Sequence, residues 1–162
     1  MTIYLGTDHR GFKLKEKIKK WLRDWDYRYE DLGAFELNPQ DDYPDFIGKV
    51  AQVVSKNPKI SKGIVLGATG QGEAILANKY PGIRAAVFYG GPEKIIKLVR
   101  QHNDSNILSL GASFLTEKEA EKAIKLWLKV PFSGQIRHKR RIGKIKITSK
   151  PLRGLMGNFR LQ

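Results

Sequence analysis

Hydrophobic positions along this 162-residue chain alternate between short runs and helical stripes nearly to its end. Ile3, Tyr4 and Leu5 make a first short strand. Phe12, Leu14, Ile18, Trp21, Leu22 and Trp25 then recur at helical spacing with lysines between them, which predicts a surface helix over residues 12–25 with residues 13–20 as its wet face. A second strand is expected over 27–32. The polar loop after it ends in Asp41-Asp42-Tyr43-Pro44, and Pro44 suits the first position of a helix carrying Phe46, Ile47, Val50, Val53 and Val54. Ile64, Val65 and Leu66 read as a buried strand that breaks into Gly67, Gly70 and Gly72 before a helix with Ile75 and Leu76. A strand over 83–88, a helix over 93–100 and a strand over 107–110 follow. The cleanest helix spans 116–128: Thr116 caps it, Glu119 stands three positions on, and Ala123, Leu126 and Trp127 face inward.

Five short strands alternating with helices predict an α/β fold, a doubly wound (Rossmann-like) five-stranded parallel sheet with helices on both faces. Ligands of such sheets bind beyond the carboxyl ends of the strands. That rule nominates Asp8-His9 after the first strand, residues 67–73 after the third, and the loop after the fourth. Beyond Lys144-Ile145-Lys146-Ile147, which alternates, residues 145–162 show no firm pattern. The expected division is therefore one domain over 1–144 and a basic tail over 145–162.

Composition narrows the classes. No run approaches the ~20 apolar residues of a membrane span, and the amino terminus lacks a signal-peptide pattern. Without cysteine there are no disulfides, no thiolate metal site and no cysteine nucleophile, which fits a cytoplasmic address. The net charge of +14 is unevenly spread. The last 41 residues carry twelve Lys or Arg and no acidic residue, leaving eighteen basic against sixteen acidic side chains in the first 121. The cluster Arg137, His138, Lys139, Arg140, Arg141 can hold a phosphate or another polyanion. No helix-turn-helix, zinc finger or aromatic RNA-stacking motif accompanies it, so nucleic acid is expected to bind only nonspecifically, through the tail.

Residues 63–79, GIVLGATGQGEAILANK, are the most informative stretch. Strand, glycine-rich turn and helix point backbone N–H groups and a helix dipole at an anion. The order G-x-x-G-x-G is not the dinucleotide motif, and no G-K-[ST] follows. Glu73 would repel a pyrophosphate. It suits a small polar substrate that needs a base beside hydrogen-bond donors, although a first-turn Glu is also what the helix dipole favours. His9, His102 and His138 form no H-x-x-x-H pair, and no carboxylates cluster at metal-ligand spacing, so neither metal nor cofactor is expected. A carboxylate, the Thr69 hydroxyl, histidines and phosphate-gripping arginines together suit proton transfer alpha to a carbonyl on a phosphorylated sugar.

Five motifs in order carry a resemblance: Thr7-Asp8-His9-Arg10-Gly11-Phe12, Asp42-Tyr43-Pro44, the 63–79 stretch, Pro81-Gly82-Ile83-Arg84-Ala85-Ala86, and His102-Asn103-Asp104-Ser105-Asn106. Together they resemble the type B ribose-5-phosphate isomerases and their galactose-6-phosphate isomerase relatives, from the first strand to about Ile142. The resemblance implies ring opening followed by proton transfer between C2 and C1 through an enediolate. Many members carry a cysteine base at the position of Gly67. Another branch uses a glutamate directly after the loop, where Glu73 stands here. The resemblance further assigns ring opening to His102 helped by Asp8, and places Tyr43 and Asn103 against sugar hydroxyls. Gly67, Ala68, Gly70, Gly72 and Thr69 form the cradle for the developing oxyanion. Phosphate falls to His9, Arg137 and Arg141, the two arginines coming from the partner subunit of a homodimer or homotetramer and sharing one helical face at their i, i+4 spacing.

One departure is visible. The family commonly has an arginine just after Leu-Gly-Ala, where this chain has Ser113. Losing that contact weakens phosphate binding by about 1.5–3 kcal/mol, and Arg10 is a candidate replacement. The alternatives are a 6-phosphohexose isomerase, acting on allose or galactose 6-phosphate, and an inactive family-like subunit with a polyanion-binding tail.

Overall fold

The structure, a computed structural model, describes residues 1–148. Five strands, β1 (Thr2–Thr7), β2 (Arg28–Asp31), β3 (Ser61–Gly67), β4 (Ala85–Phe88) and β5 (Ile107–Gly111), form one parallel sheet in the order β2-β1-β3-β5-β4. Side chains alternate between its faces, as strand geometry requires. Ile3, Leu5, Ile64, Leu66, Leu108 and Leu110 enter one core, while Val65 and Ile107 enter the other. Helices α1 (Phe12–Asp24), α4 (Glu93–Asn103) and α5 (Glu117–Lys129) cover the first face. Helices α2 (Pro44–Lys56) and α3 (Gln71–Ala77) cover the second. The doubly wound sheet read from the pattern is the sheet observed.

The element types agree with the sequence reading, and their local causes are visible. Pro44 occupies the first turn of α2. Thr116 accepts the Glu119 N–H while the Glu119 carboxylate accepts the Thr116 N–H, the reciprocal box that its spacing predicts. Ala123 and Trp127 are buried, and Leu126 packs against them.

Three expectations need correction. Lys15 is not on a wet face: it is 0% exposed and continues the buried stripe of Ile18 and Leu22. Its ammonium bonds Asp31 at 2.5 and 2.7 Å and the Ala34 carbonyl at 2.6 Å. A lysine at a stripe position reads as polar in the sequence, whereas its buried partner from β2 becomes visible only once β2 is paired with β1. Burial pushes its amine below the ordinary lysine range, and Asp31 pulls the other way. Helix α4 runs beyond Arg100 to include His102 and Asn103. Finally, α6 spans Ile136–Thr148, so a helix runs through the alternating stretch where the sequence shows no firm pattern, and the expected boundary after residue 144 falls inside it. Ile142 and Ile145, three apart, turn to the same groove beside Arg84 and Pro81, which a helix permits and a strand does not. The remainder of the expected tail, residues 149–162, lies outside the described residues.

Candidate active site

Register decides where the site lies. Thr7 pairs with Leu66, and Gly67 pairs with Gly111, so three neighbouring strands end at one level. After β1 the chain turns through α1 toward β2; after β3 it turns through α3 toward β4. The two exits diverge at the centre of the sheet and open a crevice between them. Thr7 ties this level together, its hydroxyl meeting the Leu66 and Asp8 carbonyls at 3.0 Å each.

The loop after β3 is held from below. Ala112 N–H donates to the Gly67 carbonyl at 2.8 Å, Ser113 N–H to the Ala68 carbonyl at 3.0 Å, and the buried Ser109 hydroxyl to the Gly70 carbonyl at 2.6 Å. Gly70 adopts φ +76° as the cap of α3. A side chain there would also stand 3.0 Å from the Leu110 carbonyl carbon, so glycine is required twice over. The exposed Thr69 accepts the Gln71 N–H at 3.2 Å. The Gly72 N–H belongs to the first turn, where no intrahelical carbonyl is in reach, and the Glu73 N–H meets that residue's own carboxylate.

Glu73 folds back over the strand end. It is 4% exposed, and a Cβ added to Gly67 would land inside its carboxylate. The carboxylate therefore occupies the space that any side chain at position 67 would fill. Burial raises its pKa above the ordinary glutamate value, and the negative charge of Asp8 raises it further. Asp8, 7% exposed, is likewise pushed up by burial, against the Arg10 N–H that donates to it at 2.9 Å. Tyr43, at the start of α2, lays its ring on Gly72: a Cβ there would sit 2.9 Å from the ring carbon bearing the hydroxyl.

His9 has a partner that sequence reading passed over. Its Nδ1 lies 2.6 Å from Asp41 Oδ1, and its backbone N–H donates to the same oxygen at 2.9 Å. The other oxygen of Asp41 is buried without a hydrogen-bond partner among the described residues. The contact fixes the ring and leaves Nε2 as its free nitrogen. Asp8, His9 and Asp41 bring ligand atoms within 4.8 Å of one another, a grouping of the kind that can hold a cation and that linear spacing hides across 32 residues. The available hint was position alone, since Asp41 immediately precedes Asp42-Tyr43-Pro44.

The remaining candidates stand elsewhere. His102 and Asn103 end α4, and the Asn103 carbonyl accepts from Arg84 Nε at 3.0 Å beside the amino-terminal ends of β4 and β5. The His102 ring faces His138 of α6 at 4.2 Å between centroids. His138 is buried, its Nδ1 2.6 Å from the Ser133 hydroxyl; burial and the nearby His102, Arg137 and Arg141 push its pKa down. Arg137 and Arg141 share this exposed helix, with Arg137 donating to Gln135 Oε1 at 2.9 Å. The length of the sheet, about 15 Å for a strand like β5, separates this cluster from Glu73. Within one chain, His102 and Asp8 do not meet.

The chain as a whole is similar to known proteins. A family model described as Ribose/Galactose Isomerase matches residues 3–145. Ribose-5-phosphate isomerase B of Mycolicibacterium paratuberculosis is 39% identical over 142 residues, covering 88% of this chain and 87% of that protein. The crystal structure of ribose-5-phosphate isomerase B from Mycoplasma genitalium, with ribulose 5-phosphate bound, superposes with a TM-score of 0.88 at 39% identity, covering 93% of this chain and 97% of the other. The solved structure of ribose-5-phosphate isomerase B from Clostridium thermocellum gives 0.86 at 41% identity, covering 93% and 98%. On its sequence and its fold alike, the chain belongs to the ribose/galactose isomerase family.

Proposed function

We propose that this protein is an aldose–ketose isomerase that interconverts ribose 5-phosphate and ribulose 5-phosphate without metal or cofactor, acting as a cytoplasmic homodimer. The observation that carries the reading is the Glu73 carboxylate: buried, raised in pKa, and lying over Gly67 at the level where β1, β3 and β5 end. In the open-chain sugar, Glu73 takes the proton from C2, and the electron pair forms the C1–C2 double bond of an enediolate. The O2 proton passes to O1, Glu73 returns its proton to C1, and the C2 ketone results. Donors from the first turn of α3 and the Thr69 hydroxyl stabilise the enediolate oxygens. Tyr43 and the loop residues Gly67, Ala68, Gly70 and Gly72 shape the crevice around the sugar.

The same reading needs two chains. His102, which opens the ring, and Asn103, Arg137 and Arg141 belong to the opposite end of the sheet, so they serve the crevice of a partner. Asp8, His9 and Arg10 stay with Glu73. Phosphate then lies between His9 of one chain and the two arginines of the other, a geometry suited to a dianion.

The test is ribulose 5-phosphate formation by wild type and Glu73→Gln. The variant is expected to lose about 10²–10⁴-fold in kcat with its fold intact. Inactive wild type on ribose 5-phosphate removes the substrate assignment, and a fully active variant removes the base.

A further inference from the structure

A second concavity lies at the amino-terminal end of the sheet, remote from Glu73. It is a cavity of about 510 Å³ between the start of β3, the end of α4 and the inner face of α6. That is within the usual range for small-molecule sites, roughly 300–1,000 Å³. Its charge is one-sided. Lys59, Lys62, Arg84, Arg100 and Lys139 line it, against Asp104 as the one carboxylate among the described residues. Asp104 is already shared by both arginines, at 2.8 Å to Arg84 and 3.0 Å to Arg100.

Two of these cations are built into the wall without full satisfaction. Arg100 is only 6% exposed. Its Nε serves the Val130 carbonyl and its Nη1 serves Asp104 and Ser105, while Nη2 has no acceptor among the described residues. Lys62, half-buried, rests over the Trp127 ring at 4.6 Å and has no carboxylate partner among them. Burial and the charges of Arg100 and Arg84 lower its pKa to about 8, although Asp104 opposes them. A partly desolvated Lys62 without a carboxylate partner, beside two arginines that share one, is costly to keep charged unless an anion joins it. The chain's own carboxy-terminal segment is a poor occupant, since residues 149–162 carry Lys150, Arg153 and Arg160 and no Asp or Glu side chain.

We propose that this cavity is a second ligand site, taking a multiply charged organic phosphate through Lys62, Arg100 Nη2 and the rim lysines Lys59 and Lys139. Phe132 and Ile142 give it an apolar wall for the organic part. Its outer side is α6 itself, through Lys139, Ile142 and Gly143, and the same helix carries Arg137 and Arg141. An occupant therefore steadies the helix that presents those arginines. This link to turnover rests on the isomerase reading; the binding does not.

Calorimetric titration of the full-length protein with ATP, without divalent cations and at about 0.15 M salt, tests the site. Wild type is expected to bind one ATP per chain that saturating ribose 5-phosphate does not displace. Lys62→Met, which keeps the stem over Trp127 and removes the charge, should weaken it at least tenfold. The double variant Lys59→Gln/Lys139→Gln alters only exposed rim residues and should weaken it severalfold even if Lys62→Met misfolds. Arg137→Ala/Arg141→Ala should bind ATP as wild type does. Complete displacement by ribose 5-phosphate overturns the proposal, as does unchanged affinity in both lysine variants. Binding that grows with polynucleotide length and ignores both variants also overturns it, in favour of a nonspecific polyanion surface. If ATP binds as described while ribose 5-phosphate is neither bound nor isomerised, the site stands and the isomerase reading fails.

Discussion

The two ends of this sheet are chemically opposite. At the carboxyl ends of the strands, Asp8, Asp41 and Glu73 are gathered, buried or nearly so, with the His9 ring in contact with Asp41. At the amino ends, Lys59, Lys62, Arg84, Arg100 and Lys139 surround Asp104, with His102 and His138 beside them. Carboxylates with raised pKa values can remove a proton from carbon, but they repel a phosphate. Cations can hold a phosphate, but they supply no base. Neither end alone combines a base with a grip on phosphate, which is why the function proposed above sets one end of one chain against the opposite end of another.

Mixing subunits is the most severe way to break this comparison. Glu73→Gln and His102→Asn are each expected to lose at least 10²-fold in kcat. If the site joins opposite ends of two chains, dissociating and reassociating an equal mixture restores native sites in the hybrid dimers, about a quarter of all sites. Recovery of activity toward that fraction is the expected result. Mixtures no more active than their parents would show that both residues act within one chain. The Glu73→Gln protein should also be the more stable one at neutral pH. An acid whose folded pKa lies above its unfolded value destabilises the fold once pH exceeds the folded pKa. A melting temperature at pH 7.5 a few degrees above wild type, with the gain vanishing toward pH 4, is expected; a decrease would contradict the assigned burial.

Gly67→Ala probes the carboxyl end by itself. The added methyl competes with the Glu73 carboxylate for one volume. We expect a fall in kcat of about 10²-fold, as for a base displaced by about an ångström, with little change in KM for ribose 5-phosphate. Steady-state kinetics separate the two, and full activity would mean that Glu73 does not act from this position.

The contrast between the ends was only half legible in the sequence. Strand and helix periods disclosed the sheet, and glycines beside Glu73 in a βα turn disclosed the crevice, because those signals are local. Asp41 was missed since its link to His9 reaches across 32 residues, and Lys15 was misplaced since a lysine in a core stripe looks like any other lysine. The distance between His102 and Asp8 was hidden for a further reason. Motifs fix order along the chain, whereas a helix running antiparallel to its strand carries its last residues to the far end of the sheet. The basic cavity has contributions from β3, α4 and α6 that no single segment announces.

A gentler test sharpens the electrostatics of the acidic end. Glu73 must be ionised to accept a proton, and its pKa is raised, so activity should fall on acidification through a limb above the ordinary glutamate value. Asp8 contributes to that rise as a like charge. Asp8→Asn should therefore shift the limb of kcat/KM to lower pH, on top of any loss in rate. A limb that stays in place or moves upward would mean that Asp8 is neutral when Glu73 titrates, or that another group sets the limb.

The smallest effect expected concerns phosphate at the boundary between the two ends. Ser113 lies at the mouth of the crevice, its N–H on the Ala68 carbonyl at 3.0 Å, and it carries no charge where the sequence resemblance leads us to expect arginine. The exposed Arg10 is anchored next door only through its backbone, whose N–H meets Asp8 at 2.9 Å, and its guanidinium has no partner among the described residues. It is thus free to replace the missing contact. Arg10→Ala should raise KM for ribose 5-phosphate about tenfold, as for one charge-assisted bond, and leave kcat nearly unchanged. Restoring arginine at position 113 in that variant should bring KM back. An unchanged KM in Arg10→Ala would assign the phosphate wholly to His9 and the partner's arginines, and so to the basic end of the neighbouring chain.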